Sequence, residues 1–304
     1  MKGRPMAKIS KFRSEAAREE FLRLYAGFED RWPIPSTTFE VPGAYGRTFV
    51  RRSGSGTRTP VVLLHSYGAN GLYWHRRIEE FTRDRVVYTP DTLGTAGRSV
   101  QTAPISGEAD LTAWVRELLT ALDHDRVHLI GYSHGAWHAI LAALAQPEHL
   151  ASVTLVEPGG VFNKPLWRTL FTMMRFGLGG RSDENMRKLN EWFTPGVTFS
   201  DEEWAIAKAA IMGFQMRIGW ARVLKDAELQ SISTPTLGIF GGESLASRDP
   251  EGAARRLAKQ IPNSEVEVYP GIGHAILDQI PEQVVPRILD FLDQHEPAEL
   301  HRAT

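Results

Sequence analysis

The stretch HLIGYSHGAWHAI, residues 128–140, decides the fold, because it places a serine between two glycines where a buried strand gives way to a helix. The preceding run RVHLIGY is typical of a strand, and HGAWHAILAAL is typical of a helix. Ser133 therefore lies on a predicted strand-to-helix turn, where small neighbours avoid clashes and the helix N-terminus favours negative charge. This context favours Ser133 as a nucleophile over the alternative, a small polar residue at a turn.

Short apolar runs alternate with helical segments on both sides of this turn. The runs are PVVLLH, RVVYT, RVHLIGY, SVTLVE, PTLGIFG and EVEVYPG. Such runs are typical of parallel strands covered on both faces, and their alternation with helices predicts an α/β sheet with right-handed crossovers. Upstream, TTFEV and YGRTFVRR predict an antiparallel hairpin across PGA. A short amphipathic helix over residues 14–25 precedes the hairpin and packs on the body of the chain or on a second subunit, of which the first is favoured.

Residues 159–230 interrupt the alternation, contain no clear strand, and are rich in tryptophan and methionine. An insertion of this size predicts a helical cap over one end of the sheet. The predicted core then comprises residues 1–158 and 231–304, with the cap over 159–230. The tryptophans and methionines of the cap either pack as ordinary core or line an apolar substrate pocket. Both interpretations stay open.

Composition excludes several classes of function. Lysine plus arginine number 35 and aspartate plus glutamate 36, so no charge excess favours nucleic acid. The absence of cysteine excludes disulfides, thiolate metal sites and cysteine nucleophiles. No apolar stretch is long enough for a signal peptide or a membrane span. We expect a cytoplasmic protein with no membrane partner, no cofactor and no metal, whose oligomeric state stays open.

A serine hydroxyl is a weak nucleophile unless a base takes its proton. Among ten histidines, His274 lies in YPGIGHAILDQ, a glycine-flanked loop directly after the last predicted strand. Because α/β proteins assemble sites at the carboxyl ends of their strands, His274 is the predicted base. His65 is a second candidate, although a role in structuring its loop by hydrogen bonds is favoured. Backbone N–H groups of Tyr67 and His134 are the predicted donors to an oxyanion.

With these motifs, the chain resembles the α/β-hydrolase fold superfamily, in particular its capped, carboxylesterase-like serine hydrolases. The resemblance covers about residues 37–295, in the order hairpin, HSYG, DTLGTAGRS, GYSHG, helical cap, acid loop and GIGH. It implies an α/β fold whose mostly parallel, eight-stranded sheet carries helices on both faces. It also implies a catalytic Ser133 and His274, with Tyr67 and His134 forming the oxyanion hole.

The sequence departs from the family pattern in three places. Ser66 replaces the glycine that usually follows the histidine of the oxyanion loop, and the loop DTLGTAGRS has one extra residue. In GGESLASRDP, serine stands at position 244, where the family usually has its catalytic acid. Glu243 is the favoured acid, while Glu157 at the end of LVE and Asp249 are alternatives. Asp249 could equally cap the next helix.

These residues predict a serine hydrolase that cleaves a carboxylic ester or thioester of a small hydrophobic molecule through an acyl-enzyme intermediate. Candidate substrate contacts are Ser66, Trp137 and Trp167, and the alternative for Trp137 is packing within the fold. One competing hypothesis is a non-hydrolytic enzyme of the same fold, namely a lyase, perhydrolase or cyclase. Another is a ligand-binding protein with degenerate catalysis, which the unusual acid loop and Ser66 keep open.

Overall fold

A mostly parallel sheet forms the centre of the protein. The computed structural model describes residues 9–145, 147–164, 169, 171–172 and 182–297. The strands within these residues are β1 (Lys11–Phe12), β2 (Ser36–Gly43), β3 (Gly46–Ser53), β4 (Arg58–Leu64), β5 (Arg85–Pro90), β6 (Val100–Gln101), β7 (Val127–Tyr132), β8 (Leu150–Val156), β9 (Phe214–Gln215), β10 (Thr236–Gly241) and β11 (Ser264–Tyr269).

The order of strands in the sheet is β11-β10-β8-β7-β4-β5-β3-β2, with the short β6 beside β3 as a ninth strand. All neighbours from β11 to β5 pair in parallel, whereas β5 with β3 and β3 with β2 are antiparallel. The predicted hairpin and the eight predicted strands are therefore confirmed. The ninth strand, β6, has only two residues, which is too short to leave a pattern in the sequence.

The helices within the described residues alternate with these strands. The α-helices are α1 (Glu15–Glu29), α2 (Ile78–Phe81), α3 (Glu108–Ala121), α4 (His134–Ala145), α5 (Asp183–Phe193), α6 (Asp201–Gly213), α7 (Asp226–Gln230), α8 (Pro250–Gln260), α9 (Ile276–Gln279) and α10 (Pro281–Gln294). Two 3₁₀-helices span Gly71–Arg76 and Pro147–His149. Among the helices in the described part of the chain, none combines the length and apolarity required to cross a membrane.

Helices cover both faces of the sheet, as predicted. Because successive side chains of a strand point to opposite faces, Leu129 and Ile130 of β7 belong to two different hydrophobic clusters. One cluster includes Trp114 of α3 and Leu257 of α8, and the other includes Ile288 of α10. Burial of both faces explains why the parallel strands are continuously apolar.

The N-terminal helix packs on the body of the chain. Helix α1 is longer than the predicted segment, and the Ser14 hydroxyl caps it by accepting a hydrogen bond of 3.1 Å from the Ala17 N–H. Phe21 and Tyr25 of this helix are buried. The Tyr25 hydroxyl donates to Asp91, which directly follows β5.

The insertion, residues 159–230, contains α5, α6 and α7 among its described residues, together with one strand that the sequence does not predict. That strand, β9, pairs antiparallel with β1 near the N-terminus. Its two residues form a strand only because a partner about 200 residues away in sequence reaches them, so no local pattern marks it. The division of the chain into core and cap stays a prediction.

Candidate active site

Ser133 lies on the turn between β7 and α4, in a backbone conformation that few non-glycine residues adopt. Its φ angle is +55°, in the left-handed region, and such strain is often found at functional sites. The Ser133 N–H donates a hydrogen bond of 2.8 Å to the Val156 carbonyl at the end of β8. This bond ties the turn to the neighbouring strand.

The two glycines around Ser133 are required by close backbone contacts. A Cβ atom on Gly131 would lie 2.3 Å from the Gly135 carbonyl oxygen, and one on Gly135 would lie 2.3 Å from the Leu64 carbonyl oxygen. Both separations are far below van der Waals contact, and backbone atoms cannot move aside as a flexible side chain can. The glycines of GYSHG therefore allow the tight turn, as the sequence predicts.

His274 lies in the loop between β11 and α9, and its ring reaches Ser133. The distance between His274 Nε2 and Ser133 Oγ is 3.0 Å, within hydrogen-bond range. The His274 side chain is 4% exposed, so little water competes for this contact. The structure thus brings together the predicted nucleophile and the predicted base.

The other ring nitrogen of His274 faces Glu157, the residue that follows β8. His274 Nδ1 lies 2.8 Å from Glu157 Oε2. Glu157 is 3% exposed, has a φ angle of +53°, and is fixed by a 2.8 Å bond from its N–H to the Ile239 carbonyl. Ser133, His274 and Glu157 form a hydrogen-bonded chain, called the triad below.

The structure brings Glu157 to His274, and not Glu243, which the sequence favours for this position. The Glu243 side chain is exposed, while its backbone N–H donates to the Ile272 carbonyl. Asp249, the other alternative, caps α8: its Oδ1 accepts a hydrogen bond of 2.8 Å from the Gly252 N–H. The reason lies in the sheet order, because β8 lies directly beside β7 and the end of β8 therefore lies next to Ser133.

The Glu157 carboxylate accepts further hydrogen bonds from the loop after β10. Its Oε1 accepts from the Gly241 N–H, and its Oε2 accepts from the Ser244 hydroxyl. With His274 Nδ1–H, three donors therefore surround a carboxylate that has lost nearly all contact with water. A buried carboxylate is tolerated only with such compensation.

Tyr67 and His134, the predicted oxyanion donors, lie close together. His134 is the first residue of α4, and its ring Nε2 donates to the Gly219 carbonyl at 3.0 Å. The Tyr67 ring lies 5.5 Å from the His134 ring and stacks on Trp220 at 4.4 Å. The loop after β4 and the start of α4 are thus adjacent, but the donor roles of the two backbone N–H groups stay predictions.

His65 makes the contacts of a histidine that structures its loop. Its Nδ1–H donates to the Ser66 carbonyl at 2.9 Å, and its Nε2 accepts from the Thr92 N–H at 3.0 Å. Both ring nitrogens are therefore engaged by backbone groups. Burial lowers the pKa of His65 to about 4, so the ring is neutral at pH 7 and keeps this pattern.

Three candidate substrate contacts remain. Ser66 is partly exposed in the loop after β4. Trp137 of α4 is 1% exposed and lies 5.2 Å, ring to ring, from His134, so it packs behind the turn. Trp167 lies outside the described residues. The binding of substrate by these residues stays a prediction.

Several residues near the triad are not identified from the sequence. The Tyr132 hydroxyl donates to the His274 carbonyl at 2.9 Å, and the Phe193 ring of α5 lies 4.8 Å from the His274 ring. Gln279 accepts from the Gly273 N–H at 2.9 Å and donates to the Pro195 carbonyl at 3.0 Å. Gln279 thereby links the His274 loop to the insertion. The only sequence signal was the position of Tyr132 inside GYSHG.

We predict that the protein loses stability in mildly acidic solution because of three buried histidines near this site. Burial lowers the pKa of His65 and of His134 to about 4, and that of His138 well below its usual range. Among the described residues, neither ring nitrogen of His138 has a hydrogen-bond partner. As pH falls below about 6.5, these histidines bind protons in the unfolded chain but stay neutral in the folded protein. The stability that is present above this pH is therefore lost.

Asp91 acts in the opposite direction, because burial raises its pKa to about 6. Its contribution to stability increases as pH falls through that value, but one such group offsets only part of the effect of three histidines. At about 1.4 kcal/mol per pKa unit, we expect a net loss of about 4 kcal/mol in the free energy of unfolding between pH 7 and pH 5. Urea titrations at the two pH values measure it. The variant His138→Leu should show a smaller loss, and equal stability at both pH values would contradict the prediction.

Comparison with known proteins places this chain in a family. The model of the alpha/beta hydrolase family matches residues 61–287, about three quarters of the chain. Carboxylesterase YbfK of Bacillus subtilis strain 168 is 26% identical over 292 residues, covering 91% of this chain and 96% of the relative. The uncharacterized carboxylesterase nap of the same organism is 24% identical over 290 residues, covering 90% and 93%.

The fold also matches solved structures. The crystal structure of naproxen esterase (carboxylesterase NP) from Bacillus subtilis has a TM-score of 0.82 at 23% identity, covering 90% of this chain and 97% of that one. Carboxylesterase CesB (YbfK) from the same organism has a TM-score of 0.83, also at 23% identity, covering 91% and 98%. Because the family model matches residues 61–287, the chain belongs to the alpha/beta hydrolase family.

Proposed function

We propose that the protein is a serine hydrolase that cleaves carboxylic esters through an acyl-enzyme intermediate, with Ser133 as nucleophile, His274 as base and Glu157 as acid. The family and the two Bacillus subtilis relatives, both named carboxylesterases, support hydrolysis of ester bonds. The observation that carries the finer proposal is the triad geometry, 3.0 Å from Ser133 Oγ to His274 Nε2 and 2.8 Å from Nδ1 to Glu157 Oε2.

In the acylation step, Ser133 Oγ attacks the carbonyl carbon of the ester while its proton passes to His274 Nε2. The carbonyl oxygen gains negative charge, which the backbone N–H groups of Tyr67 and His134 stabilise in this proposal. Glu157 stabilises the imidazolium and holds Nδ1–H in place. The Nε2–H then protonates the alkoxide leaving group, the carbon–oxygen bond breaks, and the alcohol departs.

Deacylation repeats these transfers with water. His274 Nε2 accepts a proton from a water molecule as its oxygen attacks the acyl carbon. The second tetrahedral intermediate collapses, Ser133 Oγ leaves with the proton returned by His274, and the carboxylic acid is released. Because the nucleophile is regenerated and no redox change occurs, the reaction requires no cofactor.

The side chains around the triad favour a small hydrophobic substrate. Phe193 of α5 lies against the His274 ring, and Tyr67 and Trp220 stack on each other beside His134, the first residue of α4. Tyr67 is 41% exposed and Trp220 is 63% exposed, which is unusual for rings of this size. Since both Phe193 and Trp220 belong to residues 159–230, we propose that this insertion covers the site as a cap.

A substrate panel tests the proposed reaction. The purified protein is incubated with aryl esters of short- and medium-chain acids and with acyl-CoA thioesters, and both products are quantified. We expect the ester to yield equal amounts of acid and alcohol. Elimination or cyclisation products without free acid would instead favour a non-hydrolytic enzyme of the same fold, and ligand binding without turnover would favour a binding protein.

A further inference from the structure

Ser244 lies in the loop after β10, beside the Glu157 and His274 side chains of the triad. Its side chain is buried, at 5% exposure, and its hydroxyl donates to Glu157 Oε2. Ser244 Oγ also lies 3.4 Å from His274 Nδ1. Ser244 thus contacts both partners of the hydrogen bond that orients the base.

The single hydroxyl proton determines the direction of these contacts. An ionised carboxylate can only accept hydrogen bonds, so the Ser244 proton is donated to Glu157. The lone pairs of Oγ then face two N–H groups, the Nδ1–H of His274 and the backbone N–H of Ala246 at 3.3 Å. Ser244 therefore supports the triad twice: it holds the carboxylate and presents an acceptor to the ring.

We propose that Ser244 is a positioning residue for His274 and that a carboxylate at position 244 can take over the role of Glu157. This inference rests on the proposed function, because it concerns how His274 is oriented during ester hydrolysis. Ser244 itself touches no reacting atom and acts through Glu157 and His274.

The distances support the second half of the proposal. In Ser244→Asp, a carboxyl carbon would stand near the present Oγ, with oxygens about 1.2 Å beyond it. From 3.4 Å, such an oxygen reaches hydrogen-bond distance of His274 Nδ1. The Glu157 carboxylate occupies the space beside Ser244 Oγ. An aspartate at position 244 therefore fits only when the Glu157 side chain is truncated, for example to alanine. Glu157→Ala adds no backbone strain, because both residues carry a Cβ atom at the same positive φ angle.

The first experiment compares Ser244→Ala with a matched control. Removing a hydrogen bond to a charged group typically costs ten-fold or more in an equilibrium or rate, so we expect kcat for an aryl ester to fall about ten-fold with KM changed less than two-fold. Ser247→Ala, in the same loop, removes a hydroxyl that donates to Asn163 at 2.8 Å and does not contact the triad. It should retain kcat within two-fold. An unchanged kcat in Ser244→Ala would overturn the positioning role.

The second experiment moves the carboxylate. We expect Glu157→Ala to lower kcat about 10⁴-fold, as loss of a triad acid does, and Glu157→Ala/Ser244→Asp to recover at least ten-fold of that loss. The recovered kcat should show the same pH dependence as kcat of the native protein, because His274 is the base in both. If the double variant retains the native near-ultraviolet circular dichroism and is no faster than Glu157→Ala, the second half of the proposal is wrong.

The two levels of inference fail in different ways. If Ser133→Ala and Glu157→Ala lower kcat by the expected factors while Ser244→Ala is fully active, the proposed function stands and the role of Ser244 falls. If Ser133→Ala hydrolyses esters at the native rate, the proposed function and the inference built on it both fall.

Discussion

Ser133→Ala is expected to lower kcat for ester hydrolysis by about 10⁵-fold, because removal of the nucleophile of a serine triad leaves only the contributions of substrate binding and oxyanion stabilisation. Ser133 Oγ lies 3.0 Å from His274 Nε2, and the helix that begins at His134 directs its N-terminus toward the same turn. Among the residues that the structure describes, Ser133 Oγ is the hydroxyl within hydrogen-bond distance of His274 Nε2. Initial rates with an aryl ester, measured at substrate concentrations above KM, give the kcat ratio.

This variant has two controls, a test that it is folded and the same substitution at Ser247. Ser133→Ala should retain the native circular dichroism and melting temperature, because the alanine keeps the Cβ atom and the same φ angle. Ser247→Ala, an identical substitution outside the triad, should retain full activity. A Ser133→Ala protein that is folded and loses less than ten-fold in kcat would exclude Ser133 as the nucleophile.

Glu157→Gln is expected to lower kcat by about 10⁴-fold, the second largest effect. The amide has lost the charge that stabilises the imidazolium, and its NH₂ group can donate to His274 Nδ1, which holds the ring in the wrong tautomer. The Glu157 carboxylate also accepts from the Gly241 N–H and the Ser244 hydroxyl, which suit a charged acceptor. The same assay as above gives the kcat.

Glu243→Gln is the matched control, because it makes the same chemical change on the residue that the sequence favours as the acid. Its side chain is exposed, so we expect kcat within two-fold of the native value. If Glu243→Gln were the more damaging of the two variants, the acid would have to be assigned to Glu243 and the loop after β10 would have to rearrange during catalysis.

Local sequence patterns were sufficient for the sheet, the turn at Ser133 and the meeting of Ser133 with His274. Each depends on a strand or helix whose hydrophobic period is visible in ten to fifteen residues, and on the rule that strand ends share one edge of an α/β sheet. The glycines of GYSHG could be interpreted in the same way, because a tight turn requires them wherever it occurs.

The carboxylate that contacts His274 could not be chosen from the sequence, because its identity depends on the order of strands in the sheet. Glu157 and Glu243 both follow apolar strands, and nothing local says which strand lies beside β7. In the sheet it is β8, whose end bonds to Ser133 through the Val156 carbonyl. Ser244 illustrates the same limit: the sequence shows only a missing acid, and the fold shows a hydroxyl between Glu157 and His274.

Reaction with a fluorophosphonate tests the central claim most directly, because this probe phosphonylates a serine only where a neighbouring base activates it. The native protein is labelled, digested and mapped by mass spectrometry. We predict one adduct, on Ser133, formed much more slowly in His274→Ala and absent in Ser133→Ala. An unlabelled Ser133 in a protein that still hydrolyses esters would contradict the account.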